Sequence, residues 1–84
     1  MNRIEFKDVH DFGNFENGSS RIGVSVTDMV GVARFLSIKK LIVDKESTSL
    51  IPQLKPVSSI LINPNNIDNL ILKLQEAKQF FKTL

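Results

Sequence analysis

Apolar and polar residues alternate through the first two thirds of this chain, and the last third changes to helical spacing. The clearest alternation is RIGVSVT, residues 21–27. Ile22, Val24 and Val26 fall on one side of an extended strand, and Arg21, Gly23, Ser25 and Thr27 on the other. Upstream, RIEFKDV (3–9) sets Ile4 and Phe6 on one side and predicts a first strand. NFENGSS (14–20) then reads as a loop in which Asn17-Gly18 suits the positive φ angles of a tight hairpin turn. DMVGV, with Gly31, predicts a turn or bulge. ARFLSIKKLIVD (33–44) predicts a long strand with Leu36, Ile38 and Ile42 toward the core and Lys40 among them. Ala33, Phe35, Ser37, Lys39 and Leu41 take its opposite face. DKESTS is a polar turn, LIPQLKP carries Pro52 and Pro56 and fits a projecting loop or irregular edge ribbon, and VSSILI closes the sheet.

The switch comes at Asn63-Pro64. Asn is a favoured N-cap, and Pro at the first helical position loses nothing by lacking an N–H. From there Ile67, Leu70, Leu74, Ala77, Phe81 and Leu84 follow at steps of 3, 4, 3, 4 and 3, widened by Ile71 and Phe80. Asp68, Asn69, Lys73, Glu76, Gln79 and Lys82 line the other side. The pattern predicts an α+β fold in one domain: about four antiparallel strands over residues 3–62, then one helix over 64–82. That helix is as long as the sheet it has to cover, so part of its stripe is expected to extend beyond it.

Size changes this picture. A chain of 84 residues makes at most one domain and buries roughly 60% of its unfolded surface, so its core is thin. It has no Cys, which excludes disulfides and thiolate metal sites, and oligomerisation is the remaining remedy. A helix-mediated homodimer through Ile67, Leu70, Leu74, Ala77 and Phe81 is the expectation. The longest apolar runs are three residues, too short for a membrane span or a signal core, which points to the cytoplasm. Asn17-Gly18-Ser19 matches a glycosylation acceptor but reads as a turn. The abundance of Ile, Lys and Asn suggests an AT-rich bacterial or phage genome.

Charge is uneven although the net is only +2. Residues 17–43 hold Arg21, Arg34, Lys39 and Lys40 against Asp28 alone. These cations act as a field only if they share a face. Enzyme signatures are lacking. His10 beside Asp11 imitates part of a triad, yet neighbours on an extended segment point to opposite faces. Asp11-Phe12-Gly13 spells a kinase metal motif without the rest of a kinase. No metal or cofactor is expected. Arg21 with Ser25 and Thr27, and Phe35 with Ser37 and Lys39, instead make a polar face holding an aromatic ring. Single-stranded nucleic-acid binders use that combination, with cations on phosphates and rings under bases. The candidate binding residues are therefore Arg21, Arg34, Phe35, Lys39 and Lys40.

Residues 36–70 resemble the C-terminal half of the transcriptional positive-cofactor-four (p15) family of single-stranded DNA-binding proteins. LSIKKL takes the place of its basic strand, with Lys39 matching the usual basic residue. DKESTSLIPQLKP stands for its proline-containing turn, and SSILINPNNI for its strand-to-helix junction. Ser58-Ser59 stands where the family usually has Lys-Gly, Ile67 where it has an aromatic, and Lys40 where an acid is common. The resemblance implies a dimer, joined by the helix, that binds single strands along curved sheets. The expected function is thus non-enzymatic single-stranded nucleic-acid binding as a homodimer. The alternative is a small protein-interaction module, a regulator or inhibitor from a phage or other mobile element, using the helix or the 44–57 loop.

Overall fold

The protein is described by a computed structural model over residues 5–44 and 53–83. Four strands, β1 (Phe6–Asn17), β2 (Ser20–Met29), β3 (Ala33–Val43) and β4 (Leu54–Ile62), form one antiparallel sheet in chain order. A 3-10 turn at Pro64–Asn66 leads into the helix α1 (Ile67–Lys82). This is the α+β arrangement that the residue spacing predicts.

β1 is longer than expected. It runs past the predicted end at residue 9 and into NFENGSS (14–20), which the sequence reads as a loop, because two bulges hide its periodicity. The pairing slips by one residue between Asp8 and His10 and again between Asp11 and Asn14. Each extra residue bends the strand and resets its alternation. Gly13 takes φ of 92° in the second bulge, and its N–H donates to Asp11 Oδ1 at 2.8 Å. The hairpin then closes between Asn17 and Ser20 with φ of 64° at Gly18 and no positive φ at Asn17, so only the glycine of the Asn-Gly pair takes the left-handed conformation.

At the other margin, β4 is an edge strand. Pro56 sits where its register with β3 slips between Lys40 and Leu41, a place where a missing N–H is tolerated. The irregular edge ribbon expected for this segment is present at 54–56, whereas Pro52 and most of the 44–57 loop lie outside the described residues.

Asn63 and Pro64 open the helical segment as their residue types predict. Asn63 Oδ1 accepts from the Asn65 N–H at 2.9 Å, and Pro64 begins the first turn. That turn is 3-10, and α-helical geometry starts at Ile67. Lys73 and Glu76 pair at 3.3 Å on the polar side, and Thr83 Oγ1 donates to the Phe80 carbonyl at 2.8 Å near the far end.

The path of the helix differs from expectation. It leaves from the margin of the sheet, leans on the 3-10 turn, and does not lie along the strands. Among the described residues no apolar side chain is fully buried, and the buried polar side chains are Ser20, Ser25, Thr27 and Ser37. A compact monomer of 9.5 kDa should expose about 5,000 Å² by the usual mass scaling. This chain exposes 7120 Å². Among the described residues an apolar sheet face and an apolar helix stripe stay exposed, and the chain does not bring them together.

Loss of the cap should register despite this openness. Asn63→Ala is expected to cost ~1 kcal/mol, read as a lower denaturant midpoint at fixed protein concentration with unchanged slope.

Candidate nucleic-acid interface

Strand register divides the sheet into two chemically distinct faces. On one, Asn14, Gly23, Lys39 and Ser59 form a cross-strand row; Asp11, Ser25, Ser37 and Leu61 form the next; Asp8, Thr27 and Phe35 form a third. On the other lie Val24, Ile38 and Ile60, flanked by His10, Val26, Leu36 and Ile62. Arg21, Phe35 and Lys39 therefore share the polar face with Ser25, Thr27 and Ser37. Arg34 and Lys40 do not. Even-numbered positions of β3 point to the apolar face, where Arg34 is opposite Asp28 and Lys40 opposite Ile22. The four cations do not make a single field.

The two cations of the polar face are also compensated. Lys39 Nζ stands 2.6 Å from Asp8 Oδ2, and the Thr27 hydroxyl donates to Asp8 Oδ1 at 2.8 Å. The hydrogen bond from Lys39, then that from Thr27, hold the Asp8 carboxyl below its ordinary 3.8, with desolvation opposing. Arg21 donates through Nε to Asn14 Oδ1 and lies 3.5 Å from Glu16. Asp11 adds a further acid. On the opposite face Arg34 is 3.9 Å from Asp28 and 69% exposed, and Lys40 is exposed with no ion pair among the described residues. The polar face is polar without being cationic.

It is also indented. Asp8, Lys39, Thr27 and Ser37 line an open cleft of about 490 Å³, with Phe6 and Leu61 also contributing apolar surface. A smaller hollow of about 170 Å³, lined in part by Asp11, Asn14 and Ser25, adjoins it and shares Asp8 and Lys39. Ser25 and Ser37 are cross-strand partners, 5% and 1% exposed, and neither hydroxyl has a hydrogen-bond partner. Phe6 and Asp8 fall within the strand predicted at 3–9, but two bulges set their register, so sequence reasoning did not bring them to this site. Phe35 sits half-buried beyond the cleft, opposite Thr27.

The remaining candidates sort simply. His10 pairs with Val26 and Asp11 with Ser25, so they do face opposite ways, and the His10 ring meets Phe12 edge-on at 4.5 Å. No group of three His, Asp or Glu among the described residues could hold a metal ion. No helix among them is long and apolar enough to cross a membrane. Of the helix stripe, Ile67 and Leu70 are half-buried near the 3-10 turn, and Leu74, Ala77 and Phe81 are exposed. Compared with protein-family models, curated proteins and solved structures, the chain matches none.

Because the folded-state pKa of Asp8 is depressed, its pairing stabilises the fold at neutral pH. That contribution is lost only as pH falls from 3.8 through the lowered value. Thermal unfolding should therefore show Asp8→Asn less stable than the parent at pH 7, and the gap should close in acid. A constant gap across that range would assign the loss to packing instead.

Proposed function

We propose that this chain is a non-enzymatic, homodimeric protein that binds single-stranded nucleic acid on the polar face of its sheet. The observation that carries this reading is the division of faces. One holds Arg21, Phe35 and Lys39 and an open cleft; the other is apolar and, like the exposed helix stripe, available to a second copy. The order of basic strand, short strand and capped helix implied by the resemblance to the positive-cofactor-four family is also the order of β3, β4 and α1.

A second copy is the occupant best matched to the apolar surfaces. Leu74 and Phe81 are 59% and 69% exposed, and a lone helix of 16 residues is marginal in water. The exposed apolar side chains of the sheet and the helix stripe supply the kind of surface that a dimer interface buries. Burial of Leu70, Leu74 and Phe81 against another chain supplies the core that this chain lacks alone.

Charge compensation shapes how a strand would be held. With Lys39 tied to Asp8, base contacts and ring stacking have to lead, and phosphate attraction is secondary. A protein-interaction module is the second reading. It is favoured by the same exposed helix stripe if a different protein covers it.

The titration of choice is fluorescence anisotropy with a labelled single-stranded oligonucleotide and its duplex at several salt concentrations. Single strands should bind more tightly than duplex, since stacking needs exposed base faces. Phe35→Ala should cost ~1–3 kcal/mol of binding with little change in salt slope. Arg21→Ala should make the log–log slope shallower by about 0.7 per subunit, while Arg34→Ala and Lys40→Ala, on the opposite face, should alter it less. If neither form binds at low salt, the interaction module takes the place of this reading.

Leu74→Asp should convert the dimer to monomer, or unfold it where folding and association are coupled, as read by sedimentation and circular dichroism. A parent protein that stays monomeric and folded at high micromolar concentration would sink the homodimer.

A further inference from the structure

The cleft on the polar face is more specific than the face around it. From its chemistry we infer that it seats one unpaired nucleobase, with the base edge on the Asp8–Lys39 pair and its ring against Phe6 and Leu61. This inference rests on the single-strand reading above and assigns Lys39 a different task from phosphate binding.

Charge argues against phosphates and cations as ligands of this cleft. Asp8 is ionised and already satisfies Lys39, so the pair is neutral as a unit. It would repel a phosphate from the carboxylate side and a cation from the ammonium side. What it offers is an acceptor beside a donor: the unused lone pairs of Asp8 and the remaining N–H groups of Lys39. The complement is an uncharged planar edge with a donor next to an acceptor, which the Watson–Crick edge of a base provides.

The surroundings favour a ring over a small amide. Phe6 is 55% and Leu61 43% exposed while lining the cleft, so each has apolar surface to give to a ring face. Ser37 lines the floor of the cleft, and its buried hydroxyl lacks a partner. The bulges of β1 serve this arrangement, since they slide Asp8 into line with Thr27 and within reach of Lys39.

Two measurements test it. First, an oligonucleotide is compared with an abasic one of equal length, which keeps the phosphates and lacks the bases. The parent protein should prefer the base-bearing strand by about tenfold or more, in the range of one to two stacked bases. Asp8→Asn should lower affinity for that strand about tenfold and leave the abasic strand unchanged or slightly tighter, since a negative charge is removed. An Asp8→Asn variant that binds both strands as well as the parent, or better, overturns the cleft as a base site while the single-strand reading survives. If the parent binds neither strand, the single-strand reading fails and the base site with it.

Second, amide NMR of the parent protein is followed on adding deoxycytidine, inorganic phosphate or N-acetylasparagine amide, which needs no variant to fold. Deoxycytidine alone should shift Thr27, Ser37 and Ser59. Shifts there from phosphate or from the asparagine derivative without deoxycytidine would overturn the assignment, the latter in favour of a protein ligand.

Discussion

Everything in this architecture follows from where the chain is when it stops being a strand. β4 is the last strand and an edge strand, and Asn63-Pro64 ends it without a return loop. Pro64 cannot donate to the ladder, and the Asn63 side chain captures the Asn65 N–H, so the next residues turn at once. A longer connection would let the helix fold back across Val24, Ile38 and Ile60. Here it departs from the margin, and two apolar surfaces are left facing outward. The thin core expected of 84 residues becomes no buried apolar side chain at all among those described.

How much of this was legible depended on whether the alternation stayed in phase. β2 and β3 pair without a slip, and both of their faces follow from the parity of residue numbers. The helix start could be read from two residue types whose backbone preferences do not depend on context. β1 could not be read this way. A hairpin closed at Asn17 and Ser20 with no bulges would set Asp8 opposite Met29, and the two extra residues move it to Thr27. Nothing in the local composition announces both slips, although Asp11 and Gly13 are the residues of an Asx-type turn. The Asp8–Lys39 contact, at a separation of 31 residues, was hidden for that reason. The direction of the helix was hidden too, because an amphipathic stripe announces that it will be covered and not by what.

The faces also show why a basic stretch of sequence need not make a basic surface. Residues 17–43 look cationic because their acids are elsewhere in the chain. Pairing brings those acids back: Asp8 and Glu16 arrive from β1 to meet Lys39 and Arg21. Arg34 and Lys40 are sent to the opposite side by the period of two. Charge counted along a sequence window therefore overstates the field that a ligand meets. What survives folding is a polar face whose hydroxyls are buried and whose two cations, Arg21 and Lys39, are each paired with an acid.

The proposed dimer and the proposed binding face constrain one another through the thickness of a single sheet. Side chains alternate faces along each strand, so the residues that pack the dimer and those that meet the ligand are immediate neighbours in sequence. Ile38 and Lys39 are one such pair, Val26 and Thr27 another. Covering Ile38 and Val26 with a second copy fixes the backbone that holds Lys39 and Thr27 around Asp8. An uncovered sheet of half-exposed aliphatic residues would hold that geometry less firmly, because few buried contacts oppose local opening. Ligand affinity should then rise and fall with association even though no ligand contact crosses the dimer interface. A variant weakened only at Leu74 would bind less well at concentrations where it dissociates and regain affinity when concentrated. A ligand face independent of association would show no such dependence.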